Sequence, residues 1–81
     1  MEQDTDVAVE VDATGMACPM PVIELAKAVD GVEVGALVRL IATDAAAKVD
    51  IPVWCRMQRH RLRSQRQADD GALHFVVERT R

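Results

Sequence analysis

"VAVEVDATGMACPMPVIELAKAVDG", residues 7–31, changes its hydrophobic period once. Up to Asp12 the pattern alternates: Val7, Val9 and Val11 share one face, and Ala8, Glu10 and Asp12 share the other. A period of two is that of a half-buried strand. Further on, Val22, Leu25, Ala26 and Val29 recur at i, i+3, i+4 and i+7, which is one face of a helix. Gly15 supplies the turn between the two periods, and Gly31 stands where the helix should end. A strand that feeds a helix returns by a right-handed crossover to a parallel strand. The stretch is therefore the first half of a β-α-β unit.

The rest of the chain completes that unit and extends it. "GALVRLIA", 35–42, is bounded by Gly35 and Asp44 and is apolar on both faces, as a central strand should be. Asp44 reads as a cap for "AAAKV". Asp50-Ile51-Pro52 interrupts that segment, so 44–59 is expected to be one broken helical unit, its second piece (51–59) carrying Trp54, Cys55 and Met57. "RLRSQRQA" is charged and alternates poorly, which fits an edge strand. "DDG", 69–71, signals a hairpin, and "ALHFVVER" places Leu73, Phe75 and Val77 on one face. The order β-α-β-α-β-β predicts an α+β fold: a two-layer α/β sandwich, with a four-stranded mixed sheet and two helices on one face.

Composition bounds the function. The chain of 81 residues forms a single domain, 1–81, in which residues 1–6 are expected to be disordered. Its hydrophobic fraction of 49% and net charge of -3 exclude a wholly disordered chain. Trp54 and Phe75 are its aromatic residues, so the core must be aliphatic and base-stacking platforms are few. No apolar run reaches the roughly 20 residues of a membrane span. The acidic N-terminus has no basic region of a signal peptide. A soluble cytoplasmic protein with reduced thiols is the expectation.

Cys18 is the residue with chemistry at its disposal. Pro19 biases it away from the helical region. Cys18 is therefore expected as the N-cap of a helix over 19–30, with Pro19 at the first helical position and Pro21 in the first turn. Unpaired amides and the positive end of the helix dipole favour a thiolate there. With the prolines removing donors, Met20 and Val22 are the amides expected to face the sulfur. The alternative is a small buried hydrophobe.

The other candidates are weaker. Cys55, beside Trp54, reads as a buried structural cysteine or as a resolving thiol for Cys18. His60 and His74 do not make a zinc pattern with the cysteines, so no metal and no cofactor are expected. His60 closes a helix, where a charged imidazole suits the dipole. His74 should face solvent. Charge is segregated: Glu2, Asp4, Asp6, Glu10 and Asp12 precede residue 17 without a base, whereas Arg56, Arg59, Arg61, Arg63 and Arg66 fall within 56–66 without an acid. That arginine run reads as a solvated edge or as a docking surface for an acidic protein partner. Net charge -3 and the scarcity of aromatics argue against nucleic acid.

Asp12, Gly15, Cys18, Pro19 and Pro21, then Asp44, Asp50, Ile51, Pro52 and Cys55, then His60 form a set in one order and spacing. In this set the chain resembles the TusA/SirA family of small sulfur-carrier proteins. Where the family often has glycine or an acidic residue before the histidine, this chain has Arg59. The resemblance implies the same two-layer fold and a sulfurtransferase-type persulfide carrier. Cys18 would accept sulfane sulfur from a protein donor such as a cysteine desulfurase or rhodanese. It would pass the sulfur to a protein acceptor in tRNA thiolation, molybdenum-cofactor enzyme maturation or sulfur metabolism. Arg59, His60, Arg61 and Arg63 are then candidate docking side chains, and a monomer without membrane association is expected. Two further readings stand beside it: a thiol redox switch using Cys18 and Cys55, and a regulatory protein- or nucleic-acid-binding module using the arginine edge.

Overall fold

The structure, a computed structural model, describes residues 7–81. The expected disorder of 1–6, and Glu2, Asp4 and Asp6 with it, lies outside the described residues. Alternation produces β1 (Val7–Ala13), the helical stripe α1 (Met20–Asp30), and the apolar run β2 (Leu37–Ala42). α2 (Ala47–Gln58), β3 (Arg61–Gln67) and β4 (Leu73–Glu78) follow. The sheet order is β1-β2-β4-β3, with β1 parallel to β2 and the remaining pairs antiparallel. β2 is central and β3 is an edge, as the patterns predict, and the α+β sandwich expected from the element order is the fold observed.

One face of the sheet carries both helices. Val38, Leu40 and Ala42 of β2, and Leu73, Phe75 and Val77 of β4, meet Leu25 and Val29 of α1 and Ala47, Ile51 and Cys55 of α2. This core is aliphatic apart from Phe75. Pro21 is also fully buried, so the α1 stripe is rotated by one position toward Pro21, Leu25 and Val29, and Ala26 lies off its centre. Burial of a leucine or valine side chain in such a layer stabilises the fold by about 1.5–3 kcal/mol.

α2 corrects the expectation of a broken helical unit. It runs through Pro52 without interruption. A proline inside a helix leaves the carbonyl four residues earlier without its amide. That carbonyl belongs to Lys48, and the Gln65 side chain on β3 donates to it at 3.3 Å. A side chain distant in sequence thus satisfies the group that Pro52 abandons.

The C-terminal residues lock the far ends of both helices. Arg79 Nη1 donates to the carbonyls of Val29, Asp30 and Val32, which close α1. Arg81 Nε donates to Gln58 O at 2.9 Å, and the Thr80 hydroxyl donates to the carbonyl of Arg59, the left-handed residue (φ 65°) that ends α2. His60 joins this lock. Its Nδ1 accepts the Thr80 amide at 3.2 Å, and its ring lies 5.5 Å from that of Trp54. An accepting nitrogen must be unprotonated. The expectation of a charged imidazole is therefore wrong: burial, then Arg81 and Arg79, hold the His60 pKa below its ordinary value, against the pull of Asp30. His74 also departs from expectation, because it is only partly exposed and its Nδ1 is buried on the sheet face away from the helices.

A depressed histidine pKa means that the unfolded chain binds more protons than the folded one below its own pKa. The stability contributed by neutral His60 is complete above about pH 6.5 and is lost as the pH falls below that value. Thermal melts should show wild-type stability dropping between pH 7.5 and about 5, with a flatter slope for His60→Asn. Identical slopes would mean that folding does not shift the His60 pKa.

Candidate functional site around Cys18

Parallel pairing of β1 and β2 brings the two strand-to-helix turns to the same end of the sheet. The turn after β1 is shaped by Asp12, whose Oδ1 accepts the Thr14 amide at 3.0 Å and the Thr14 hydroxyl at 2.7 Å. Both bonds hold the Asp12 carboxyl below its ordinary range. Gly15 follows at φ 80°, a conformation glycine adopts without steric cost. Its amide reaches across to Thr43 Oγ1 at 2.9 Å, joining this turn to the one after β2.

Asp44 makes the second link. Its Oδ1 accepts the Ala46 amide at 2.9 Å, and its backbone carbonyl accepts the Ala47 amide at 3.0 Å. Asp44 is not the cap expected for α2: the N-cap is Ala46, without a side-chain cap bond, and Asp44 braces the turn that precedes it. Its other oxygen, Oδ2, accepts the backbone amide of Cys18 at 3.0 Å. These amides favour the charged carboxylate and lower the Asp44 pKa, that of Ala46 contributing most and that of Cys18 next.

Cys18 itself is partly exposed and packs against the edge of the core. It is not the N-cap. That position is Pro19 (φ -94°, ψ 14°), reached through a cis Cys18–Pro19 peptide, and α1 begins at Met20 with Pro21 in its first turn. The Met20 amide, expected to face the sulfur, instead donates to Ala17 O at 2.9 Å. Asp50, in the first turn of α2, is with Asp44 one of the two carboxylates whose charge acts on the thiol.

The electrostatics follow from these contacts and reverse the expectation of a thiolate. Desolvation, then the bond to Asp50 and the charges of Asp50 and Asp44, push the Cys18 pKa up to about 11. Desolvation, with two carboxylates adding to it, outweighs one helix terminus. Asp50 is the site residue that reading for caps and periodicity missed. The signal that could have found it was its place in the first turn of the helix that Asp44 starts, facing α1.

The other candidates lie elsewhere. Cys55 is 2% exposed in the core, with its thiol pKa pushed up to about 11 by burial alone. Both cysteines are free thiols. Arg59, His60 and Arg61 stand at the opposite end of α2, whose 12 residues span about 18 Å. The fold therefore does not bring the proposed docking residues to the thiol. Arg63 sits at a register shift in β3 and pairs with Glu78 at 2.7 Å. No group of side chains suited to a metal ion occurs among the described residues, and no helix there is long and apolar enough to cross a membrane.

Both helices carry exposed apolar side chains. Met20 and Ile23 on α1 are 42% and 41% exposed, and Val49 and Val53 on α2 are 65% and 42% exposed. No enclosed pocket accompanies them among the described residues. The thiol is thus offered on an open surface.

The sequence profile of the family described as "Sulfurtransferase TusA" matches residues 9–79. The chain belongs to the TusA family. Among its relatives is the sulfur carrier protein TusA of Pseudomonas putida, 38% identical over 69 residues that cover 85% of each chain. The corresponding protein of Pseudomonas syringae is 34% identical over 77 residues, 95% of this chain and 90% of the relative. The crystal structure of a SirA-like protein from Desulfitobacterium hafniense superposes with a TM-score of 0.80 at 20% identity, over 90% of this chain and 99% of that one. That likeness shows the fold, a four-stranded mixed sheet with two helices.

Replacing Asp44 with alanine removes the common anchor of the two turns. Asp44→Ala should lower the melting temperature and move the midpoint of Cys18 alkylation, followed against pH with iodoacetamide, below its wild-type position near 11. An unchanged midpoint would mean that Asp44 does not act on the sulfur.

Proposed function

We propose that this protein is a sulfur carrier that holds a sulfane sulfur as a persulfide on Cys18. The observation that carries this reading is a reachable cysteine, anchored through its backbone by Asp44 at the starts of two helices, in a chain of the TusA family. The anchor leaves the thiol side open. The chemistry is two displacements. Cys18 sulfur attacks the outer sulfur of a donor persulfide and the donor leaves as a thiolate. An acceptor thiolate then attacks the outer sulfur on Cys18, and Cys18 leaves.

A thiol on an open surface suits exchange between proteins better than turnover of a small molecule, which needs an enclosing cavity. The exposed apolar side chains Met20 and Ile23 in the first turns of α1, which follows Cys18, give protein partners an apolar contact. This replaces the arginine run as the docking surface for transfer. The redox-switch reading draws less support, because it needs a second thiol within reach and Cys55 is buried in the core. The arginine edge also supports a nucleic-acid face less than expected, since Arg63 is spent on Glu78. tRNA thiolation, molybdenum-cofactor enzyme maturation and sulfur metabolism all fit a carrier of this kind, with a cysteine desulfurase or rhodanese as donor.

Incubation with a persulfide donor should add one sulfur, about 32 Da, to the intact mass, removable by a reducing thiol. Cys18→Ser should abolish the addition while the melting temperature changes little, because the Asp44 bond is made to the backbone amide. Cys55→Ser should keep the addition and lose stability. Sulfur retained by Cys18→Ser would remove Cys18 from the reaction.

A further inference from the structure

Spacing by four residues divides α2 into rows along its length. Ala47, Ile51 and Cys55 form the row packed into the core. The row two residues on, Val49, Val53 and Met57, stands opposite it, at about 200° around the helix. A helix packed on a sheet ordinarily turns polar side chains outward. Here the outward row is apolar, and its three side chains are 65%, 42% and 70% exposed. Single exposed hydrophobes need no account. Three at successive turns line up as one ridge about 12 Å long. The core does not use this ridge, and the bond that anchors Cys18 comes from Asp44, before the helix begins.

The adjacent row is cationic. Lys48 and Arg56, each one residue before a member of the ridge, border it on one side with Pro52 between them. Arg59 follows a turn after Arg56, on the residue that ends α2. All three cations are exposed, and none is paired with an acid among the described residues. The single acid of α2, Asp50, stands on the other side of the ridge in a half-buried row with Trp54 and Gln58. The outer face of α2 is therefore an apolar ridge with unpaired positive charge along one border.

We propose that this face docks an acidic amphipathic helix of a partner protein. The partner's apolar side chains cover Val49, Val53 and Met57, and its carboxylates meet Lys48, Arg56 and Arg59. A ridge of side chains at i, i+4 and i+8 is the element that seats in the groove of a second helix. The charge selects the acid-bearing partner. A second copy of this chain fits less well, because two such faces would gather Lys48, Arg56 and Arg59 twice over against one Asp50 from each. A membrane surface also fits less well: the ridge is one row wide, and a net charge of -3 opposes an anionic bilayer. Three apolar side chains and three cations make a small interface, of the transient class. Docking does not rest on the carrier reading, since no sulfur enters it. It gives a role to Arg56 and Arg59, in the half of α2 remote from the thiol turn.

The test is an NMR titration of the full chain, kept reduced, with a synthetic helical peptide that carries leucines at i, i+4 spacing and glutamates beside them. A control peptide has lysine in place of each glutamate. Amide shifts should concentrate in α2 and saturate with the acidic peptide and not with the basic one. Binding should weaken as salt rises, because the screening length is about 8 Å at physiological ionic strength. Val53→Gln with Met57→Gln should weaken binding about tenfold. The melting temperature should change little, because both side chains lie outside the core. Lys48→Glu with Arg56→Glu should lose the acidic peptide and gain the basic one. Shifts confined to another part of the chain, or no shifts, would overturn the proposal. So would either result that gives the face another occupant. One is self-association in sedimentation that Val53→Gln with Met57→Gln abolishes. The other is binding to phosphatidylglycerol vesicles that the acidic peptide does not displace and the same pair of substitutions abolishes.

Discussion

Everything at the candidate site depends on one carboxylate. Asp44 holds the Ala46 amide with one oxygen and the Cys18 amide with the other, so the turn that starts α2 also fixes the turn that starts α1. The sheet makes this geometry available, because parallel β1 and β2 deliver both turns to the same end. The Gly15 amide bonded to Thr43 ties the same two turns a second time. With its amide held, Cys18 has little backbone freedom, and its thiol lies under the charge of Asp50 and Asp44. A single interaction thus couples stability, placement of the nucleophile and the electrostatics of the thiol.

The helix layer has two ends with separate tasks. At the thiol end, two carboxylates and a cysteine gather around the starts of both helices. At the other end, Arg79, Thr80, Arg81 and His60 cap the last carbonyls of both helices. The arginine run that stands out in the sequence leads away from this second end along the β3 edge, where it charges an exposed strand against edge-to-edge pairing. Segregation keeps the cationic surface away from the sulfur and leaves the thiol under the influence of two acids.

The fold was legible because its signals are local. Alternation at 7–12, the helical stripe from Val22 to Val29, the apolar run of β2 and the hairpin at 69–71 each follow from neighbouring residues. The Cys18 environment was legible only in part. Its place beside a helix start and the turn made by Asp44 are local; the burial that chiefly raises its pKa, and the carboxylates that add to it, come from packing against a segment 26 and more residues away. The same distinction explains α2. Pro52 is a local breaker, and the carbonyl it leaves without an amide is met by Gln65 on another strand. His60 looked like a cation at a helix end because the Thr80 amide and the cations Arg79 and Arg81 could not be placed around it. Topology, and not composition, put Arg59 and Arg61 a helix length from the sulfur.

The central claim is that the Asp44 carboxylate holds the Cys18 backbone, and the amide resonances of the two residues it joins report on it. In an acid titration followed by NMR, the Cys18 and Ala46 amide protons should move together. They should share one midpoint, below the ordinary carboxylate value of 3.8, and both shifts should vanish in Asp44→Asn. A Cys18 amide that does not titrate, or titrates with a midpoint different from that of Ala46, would contradict the account.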